Sequence, residues 1–469
     1  MDDKYLHFKE NVRNAVEAFK KIDKHETIRI ISHLDSDGIC AASILLHAFM
    51  HENRKYSLSI VQQVNEQLLT DLSREHYNYY FFTDLGSGQF LKIEKVLMNK
   101  KVFILDHHEL DVHIANSSIV HVNPHIFGIN GSKEISGSGV VYLFCSFLNE
   151  KYKSLAHLAL IGAIGDVQEN QGFLELNNEI LEEAKKQHKI EVKRGLRFFG
   201  MQTRPIHKIL EYSTDPFIPD VTGSESGTFN FMAEIGIHPK HKKGWKRMAD
   251  LTDEDLQRLV AGIIMKRFDQ ENPEDVLGNI YILTEEKEGS PFRDAKEFST
   301  LLNACGRLCK PSLGIGVCLG DKQLKKKAIK HMIVYKKEIV KAMRWYDDNK
   351  NSPTIIKENG FIIINAQKDI LSTMIGTVGS ILSKSKKFKE GTYIMSLAQD
   401  PYHNTKVSLR VAGKYKNVDL KKIMIEITSQ IKDTEAGGHK EAAGAIIPTS
   451  SEGLFIEHAK EILRKNNVN

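Results

Sequence analysis

Short apolar runs alternate with helical periodicities over the first 180 residues of the chain. The runs, bounded by polar and turn-forming residues, predict five strands: Ile28–Ser32, Ser57–Val64, Tyr79–Thr83, Val102–Leu105 and Ile119–Val122. Between them, four stretches have the three- and four-residue spacing of helices: Ala41–Met50, Gln89–Met98, Gly139–Phe147 and Leu155–Ile164. This alternation predicts an α/β fold with a parallel sheet, in which ligands bind at the carboxyl ends of the strands.

The pattern changes after this core and indicates three further segments. Residues 181–320 are richer in charge and predict a mainly helical elaboration, with Asp215–Gly227 as a loop. Residues 321–351 predict one long connecting helix, on which apolar positions recur at helical steps: Leu324, Ala328, Met332, Tyr335, Ile339, Met343 and Tyr346. Residues 352–469 predict a smaller α/β domain with strands Phe361–Asn365, Thr392–Gln399 and Lys406–Val411 and helices Ser372–Leu382 and Leu420–Ile431.

Composition narrows the class of protein only a little. The 469 residues include 65 Lys and Arg against 60 Asp and Glu, so the formal net charge of +5 permits an anionic partner without requiring one. The five cysteines form no CxxC pair, which favours reduced thiols in an intracellular protein. No secretory signal and no run long enough to span a bilayer are evident, so we expect a soluble, cytoplasmic protein with no membrane partner.

Candidate chemistry begins where the first predicted strand ends. His33, Asp35 and Asp37 follow that strand at two-residue spacing, so an extended backbone would place all three side chains on one face. Gly38 suits a sharp turn into the following helix. Taken alone, the same residues could be a loop with acidic caps for the next helix, and both interpretations stay open at this point.

Three further segments repeat this arrangement. Asp84 and the triplet Asp106-His107-His108 each follow an apolar strand, and Asp166 ends a helix of small apolar residues. Carboxylates brought together at one sheet edge repel each other unless cations neutralise them. Mixed imidazole and carboxylate ligands suit Mn²⁺ and similar divalent metals, and a pair of such ions is the usual device for hydrolysing phosphate esters. The sequence therefore predicts a two-metal phosphoesterase.

These motifs resemble the DHH phosphoesterase superfamily, which is named for the Asp106-His107-His108 triplet. The segment Gly437–Gly444 resembles the DHH-associated domain, DHHA1. Three middle segments, Arg204–His207, Glu211–Pro216 and Glu297–Arg307, resemble the archaeal RecJ-like nucleases. The resemblance implies an exonuclease that releases nucleoside 5′-monophosphates from single-stranded DNA or RNA in replication or repair. It also implies two divalent ions, Mn²⁺ or Mg²⁺, and association with the GINS replication complex.

The resemblance also implies roles for individual residues. His33 and Asp35 would hold one metal, Asp37, His107 and Asp166 the other, and Asp84 would bridge both. Asp106 would orient the site, and His108 would contact the scissile phosphate or assist the leaving group. In the small domain, the residues implied to contact substrate are Gly437, Gly438, His439, Ser408 and Arg410.

Some alternatives remain open on the sequence. Gly437-Gly438 could be only a tight turn before a helix, with His439 as its cap, and Arg307 could be a substrate contact or a helix-end charge. At the level of function, the chain could act on short substrates such as oligoribonucleotides, nucleoside bisphosphates or cyclic dinucleotides. It could also be a replication scaffold with GINS, although the complete set of predicted metal ligands favours a working enzyme.

Overall fold

The fold is given by a computed structural model of the chain. The structure describes residues 3–110, 118–213, 215–242, 244–385, 387–413 and 418–466, without the side chain of His439. The chain forms two compact units, Met1–His331 and Met332–Asn469. Among the described residues, no helix is both long and apolar enough to cross a membrane.

The first unit is built on a five-stranded sheet in the order β2-β1-β3-β4-β5, and every neighbouring pair is parallel. Its strands are β1 Thr27–His33, β2 Lys55–Val61, β3 Tyr79–Thr83, β4 Lys101–Leu105 and β5 Val120–Val122. The apolar side chains of β1, β3 and β4 are buried, which is why these strands read as continuous apolar runs. The α/β fold class and its parallel sheet are confirmed.

Helices of the same part of the chain accompany this sheet: α1 Asp3–Lys20, α2 Ser36–His51, α3 Glu66–Arg74, α4 Phe90–Val96, α5 Gly137–Leu148, α6 Ala156–Gly165 and α7 Glu175–Lys186. Packed phenylalanines join the sheet to α1, α2 and α5. Phe19 of α1 stacks on Phe49 of α2 at 5.3 Å, and both rings meet Phe81 of β3 edge-on. Phe144 of α5 completes the group. These rings hold the strand ends, and hence the residues that follow them, in fixed positions.

The middle region contains helices, as predicted, and strands that the sequence did not predict. Its elements in chain order are β6 Ile190–Leu196, α8 Ile206–Glu211, α9 Glu225–Glu234, β7 Lys240–His241, β8 Gly244–Trp245, α10 Asp253–Lys266, β9 Leu277–Leu283, α11 Ala295–Arg307 and α12 Pro311–Cys318. Strands β6 and β9 pair antiparallel although they lie far apart in the chain, and β7 and β8 form a small hairpin. A separate apolar cluster, which includes Phe198, Phe231 and Leu259, forms the core of this region.

The long helix α13 runs from Lys322 to Asn349, and the division between the two units falls within it. Its predicted apolar stripe is buried at Ala328, Met332, Tyr335 and Tyr346.

The second unit has a mixed six-stranded sheet in the order β10-β11-β12-β13-β15-β14. The strands are β10 Ile355–Glu358, β11 Phe361–Asn365, β12 Tyr393–Gln399, β13 Asn404–Val411, β14 Glu435–His439 and β15 Ala442–Pro448. The helices are α14 Ser372–Lys384, α15 Leu420–Thr428 and α16 Glu452–Lys465. The segment Gly437–Gly444 belongs to the β14–β15 hairpin, so the alternative of a turn before a helix is wrong.

Candidate metal centre

Strands β1, β3 and β4 end side by side, and the residues that follow them form one polar cluster. Asp35 caps helix α2 by accepting a hydrogen bond from the Gly38 N–H at 3.1 Å. Asp84 follows β3 with a left-handed backbone (φ 59°), and its N–H donates to the carbonyl of Leu105. The cap residue at the carboxyl end of α6 is Asp166. Sheet topology therefore brings together the residues that the sequence predicted to converge.

Two groups of side chains share Asp84. In the first, His33 Nδ1 lies 3.0 Å from Asp35 Oδ2 and 3.5 Å from Asp84 Oδ2. In the second, His107 Nε2 lies 3.3 Å from Asp84 Oδ1. The same nitrogen lies 3.3 Å from Asp166 Oδ2 and 3.7 Å from Asp37 Oδ2. One oxygen of Asp84 thus faces each histidine.

The donor atoms of these groups fit divalent cations. His33 Nδ1, His107 Nε2 and both carboxylate oxygens of Asp84 are buried and have no hydrogen-bond partner among the described residues. They lie close to one another but are not aligned as hydrogen bonds, which is expected of atoms that point at a common ion. Buried polar atoms rarely remain unsatisfied, so this cluster calls for a ligand. Imidazole nitrogens and carboxylate oxygens are the donors that Mn²⁺ and related ions take.

Because the carboxylates lie close together, two of them have raised pKa values. Burial and the neighbouring Asp84 carboxylate raise the pKa of Asp37 to about 7. Burial and the carboxylate of Asp37 raise the pKa of Asp166 well above its usual range. Although burial alone lowers the pKa of His107, Asp84 and Asp166 raise it well above its usual range. Added positive charge would therefore stabilise this cluster, and bound cations would supply it.

Neighbouring backbone groups orient the ligand atoms. The carbonyl of Gly131 accepts from His107 Nδ1 at 2.7 Å, which leaves Nε2 facing the cluster. Asp37 accepts hydrogen bonds from the Gly137 and Ser138 N–H groups at 2.7 and 3.1 Å, and from the Ser138 hydroxyl. These donors stand at the first turn of helix α5, where unpaired N–H groups favour a carboxylate. This contact was not predicted from the sequence, although the segment 136–139 could have indicated it.

Asp106 and His108 form a pair beside the cluster. Asp106 is buried, and its oxygens accept from the N–H groups of Ser87 and His107 at 2.9 and 2.8 Å. The ring of His108 lies with Nδ1 2.8 Å from Asp106 Oδ1, and its side chain is 37% exposed. Although burial by itself raises the pKa of Asp106, the imidazole of His108 and the donors around the carboxylate hold it well below its usual range. Asp106 is therefore a charged acceptor that holds His108 at the rim of the cluster.

Glycines surround the cluster where side chains would collide with it. A Cβ at Gly137 would lie 2.5 Å from Asp84 Oδ1, and one at Gly162 would overlap Asp37 and Ser138. A Cβ at Gly306 of α11 would overlap the carbonyl oxygen of Leu34, between the two candidate ligands His33 and Asp35. Small residues at these positions let the elements approach closely enough to enclose the ligands.

Helix α11 also contacts the segment between β1 and α2 through hydrogen bonds. Asn303 Oδ1 accepts from the Ser36 N–H at 3.1 Å, and the Ser299 hydroxyl donates to the Ser36 hydroxyl at 3.0 Å. The segment Glu297–Arg307 was singled out by resemblance alone, and its contact with Ser36, beside the candidate ligands, was not predicted. Arg307, the last residue of α11, stays a candidate substrate contact.

The predicted substrate residues of the second unit lie in neighbouring strands. Ser408 of β13 pairs in register with Gly444 of β15, which pairs with Gly437 of β14. Gly438 has φ 127°, and a Cβ there would overlap the backbone of Ala442, so the hairpin itself requires this glycine. The side chain of His439 lies outside the described part of the chain. Ser408 Oγ is buried without a hydrogen-bond partner among the described residues.

Arg410 lies two positions after Ser408 on the same strand face. Its guanidinium donates to the Ser380 hydroxyl at 3.1 Å and to the carbonyls of Leu409 and Ala443 at 2.8 and 3.2 Å. Lys406 shares this face, because side chains two apart on a strand point the same way. Burial and the positive charge of Arg410 lower the pKa of Lys406 to about 8. The sequence analysis missed this lysine.

Three family models match this chain. Residues 27–164 match the DHH family, N-terminal domain, residues 198–280 the DHH-CID domain, and residues 360–465 the DHHA1 domain. A protein of Methanocaldococcus jannaschii whose own function is uncharacterized is 30% identical over 460 residues, and the match covers 97% of each chain.

Solved structures share the fold at low sequence identity. RecJ of Thermus thermophilus in complex with Mn²⁺ is 14% identical with a TM-score of 0.59, and the match covers 97% of this chain and 55% of that one. The present chain therefore spans about half the length of that protein, which has also been solved with Mg²⁺. CDC45 of Entamoeba histolytica is 11% identical with a TM-score of 0.62, and the match covers 98% of this chain and 99% of that one.

Proposed function

Because this chain belongs to the DHH/DHHA1 phosphoesterase superfamily, we propose that it is a two-metal exonuclease that removes nucleoside 5′-monophosphates from single-stranded nucleic acid. One observation carries the proposal: the two oxygens of buried Asp84 face separate histidines, and each histidine has further carboxylates beside it. This is the donor arrangement that a pair of divalent ions sharing one carboxylate requires. Mn²⁺ is the preferred ion on ligand type, with Mg²⁺ as a second candidate.

The residues divide naturally between two ions. His33 and Asp35 would hold one, Asp37, His107 and Asp166 would hold the other, and Asp84 would contribute to both. When bound, such a pair activates water as a nucleophile and offsets the charge that develops on the phosphoryl oxygens. The hydrogen bonds on Asp37 and on His107 Nδ1 fix these side chains before substrate arrives. Prior orientation of this kind reduces the rearrangement needed in the transition state.

His108 is the proposed proton donor to the leaving group. Its exposed position allows contact with a bound phosphate, and its hydrogen bond to Asp106 orients the ring. A carboxylate hydrogen-bonded to a catalytic histidine holds the ring in the orientation that proton transfer requires. The leaving sugar oxygen would take the proton from His108 as the bond to phosphorus breaks.

The second unit is the proposed site for the phosphate backbone of the substrate. Arg410 offers a guanidinium, and Lys406 adds a cation on the same strand face. Ser408 lies between them, and its buried hydroxyl has no hydrogen-bond partner among the described residues. Gly437 leaves open space beside the sheet, since a Cβ there would meet nothing within 4 Å. Guanidinium and ammonium groups beside exposed backbone form the usual surroundings of a bound phosphate.

The lowered pKa of Lys406 predicts that the contribution of this lysine to substrate binding depends on pH. Only its protonated form attracts phosphate, and the free protein loses that proton as the pH rises through about 8. We expect Lys406→Met to raise KM for an oligonucleotide roughly 10-fold at pH 7, because a hydrogen bond to a charged group contributes about 1.5–3 kcal/mol. The ratio of variant to wild-type KM should fall toward one by about pH 9.

The matched control is Lys357→Met, which removes an exposed lysine from strand β10 of the same unit. Its KM should follow the wild type at every pH. A ratio for Lys406→Met that stayed constant between pH 7 and pH 9 would show that Lys406 does not carry the titrating charge.

The proposed activity is tested with single strands of DNA and RNA, each labelled at one end, in the presence of Mn²⁺ or Mg²⁺. We expect stepwise shortening from one end, nucleoside 5′-monophosphates as products, and complete loss of cleavage with a chelator. The two labels identify the end that is digested, and the two sugars identify the substrate. Release of products only from dinucleotides or cyclic dinucleotides would instead support the short-substrate alternative.

Association with the GINS replication complex is a separate prediction. The middle region is its proposed location, because it contains a core of its own beside the sheet. A co-purification experiment with GINS subunits tests it independently of any nuclease assay.

A further inference from the structure

A strongly basic hairpin projects from the middle region. The sequence from His238 to Arg247 contains four lysines and one arginine and no acidic residue, although the whole chain carries a formal net charge of only +5. Strands β7 and β8 form the hairpin, and Gly244 begins β8 with φ 125°. The backbone is fixed to the rest of the unit, because the Ile206 N–H donates to the carbonyl of Lys246 at 2.9 Å.

An exposed tryptophan lies within this positive charge. Trp245 is 42% exposed, and its ring packs against His207 with the two centroids 4.2 Å apart. Lys240 Nζ lies 4.3 Å from the centre of the indole. The ring centroid of Phe229 lies 6.0 Å from that of the indole. The tryptophan is therefore held in place on one side and remains accessible beside a cation.

Part of the positive charge around Trp245 is not neutralised within the described part of the chain. Lys240 and Lys242 are exposed, and no carboxylate of the described residues forms an ion pair with either. His241 and Lys246 do approach carboxylates, Asp250 at 3.4 Å and Asp255 at 3.6 Å. A surface serving only to cover the core would not need an exposed indole among unpaired lysines.

We propose that this basic hairpin binds single-stranded nucleic acid, with Trp245 stacking on a base and Lys240 and Lys242 contacting the phosphates. The inference rests on the proposed function, because it names a further surface that holds the same class of substrate. An aromatic ring among cations is the combination that unpaired nucleic acid requires, since every base has a flat face and every linkage a negative charge. The flexible stem of Lys240 lets its ammonium move to a phosphate when a base occupies the ring face.

The hairpin is physically connected to the metal centre. Arg247 pairs with Pro205, and the preceding residues Gln202 and Thr203 donate hydrogen bonds to the buried carboxylate of Glu297. Glu297 belongs to helix α11, which carries the Asn303 and Ser299 contacts to the metal-binding segment. A strand held by the hairpin would thus be attached to the element that supports the ligands.

The proposal is tested by binding of a labelled oligothymidylate, measured by fluorescence anisotropy in chelator so that no cleavage occurs. Trp245→Ala should raise Kd roughly 5- to 100-fold, the usual contribution of one stacked base. Trp245→Phe should restore most of the affinity. Neither change should affect binding of a DNA hairpin with a closed stem to the same degree, because bases inside a duplex are already stacked on both faces.

The charge contribution is tested with Lys240→Glu combined with Lys242→Glu. Each lost phosphate contact should reduce the slope of log Kd against log salt by about 0.7 for a single strand, so we expect a reduction of about 1.4. The matched control reverses two exposed lysines elsewhere in the same unit, Lys95→Glu with Lys186→Glu, and should leave the slope unchanged.

These outcomes separate the inference from the proposed function. Wild-type protein that binds the strand through the hairpin but never cleaves it would contradict the exonuclease activity and leave the hairpin site standing. Cleavage by wild type together with unchanged Kd and salt slope in all hairpin variants would overturn the hairpin site. The surface would then be assigned to a protein partner.

Discussion

Asp84→Ala is expected to lower kcat/KM by at least about 10⁴-fold, which corresponds to roughly 5.4 kcal/mol of lost transition-state stabilisation. Among the described residues, Asp84 is the one whose two oxygens face both histidines of the cluster. Removing it takes a donor from each metal position at once, whereas loss of any other proposed ligand affects one position. The comparison is made by measuring cleavage rates and the number of Mn²⁺ ions bound per chain.

The stability of the metal-free variant should change much less. Asp84 attracts His33 and His107, and it also repels Asp37, whose pKa it helps to raise. These effects partly offset each other, so we expect the free energy of unfolding without metal to change by less than about 2 kcal/mol. A loss of activity with a retained fold is therefore the expected combination.

The change in Tm on adding Mn²⁺ distinguishes the wild type from Asp84→Ala more sharply than the stability without metal does. A ligand that binds only the folded state stabilises it by about 2.7 kcal/mol at 100 times its Kd. Wild type should show a rise in Tm with Mn²⁺, and Asp84→Ala should show little or none. The control Asp71→Ala removes an exposed carboxylate of helix α3 and should behave as wild type. Normal cleavage by Asp84→Ala would refute the assignment of a shared ligand.

The sequence predicted the part of the site that depends on local pattern. Strand β3 was predicted at its observed bounds, and an apolar run followed by an aspartate is visible without any tertiary information. Parallel strands bring their carboxyl ends to one edge, so the positions of Asp84 and His107 beside His33 followed from the fold class. The α1 helix went without a prediction even though Phe8, Val12 and Phe19 have helical spacing.

The parts that could not be predicted are contacts between residues distant in sequence. The acceptor for Ser36 is Asn303, and the donors to Asp37 come from the start of α5, about 100 residues away. No local periodicity encodes such pairs, because they arise when whole helices pack. The same holds for the β6–β9 pair, whose strands lie far apart in the chain. The role proposed for Trp245 could not be predicted either, because it depends on which charges surround the indole in the folded chain.

Gly306→Ala is the second change with a large expected effect. Alanine in a helix is intrinsically favoured over glycine by about 1 kcal/mol, so helix propensity alone predicts a gain in stability. Here the new Cβ would overlap the carbonyl oxygen of Leu34, a backbone atom that cannot rotate away. Either α11 or the segment carrying His33 and Asp35 must move. Overpacking of this kind costs about 1–3 kcal/mol, which exceeds the gain from propensity.

Catalysis should suffer more than stability from this displacement. A shift of about 1 Å in a reacting group costs on the order of 100-fold in rate, so kcat/KM of Gly306→Ala should fall by about that factor. The affinity for Mn²⁺, measured by calorimetry, should fall with it. Asn303→Ala removes only the acceptor for the Ser36 N–H and should produce a smaller loss in the same direction, which keeps the test valid if the first variant folds poorly.

Gly314→Ala in helix α12 is the matched control, since the three atoms nearest to its Cβ would all be side-chain atoms, the first of them on Ile39 at 3.2 Å. We expect it to retain most of its activity and its affinity for Mn²⁺. If Gly306→Ala were instead more stable than wild type and equally active, propensity would have outweighed the contact, and α11 could not be the element that positions the metal-binding segment. We expect Gly306→Ala and Asn303→Ala to lose affinity for Mn²⁺ and Gly314→Ala to keep it. That result would show that helix α11 positions the segment carrying His33 and Asp35, although the two are far apart in sequence.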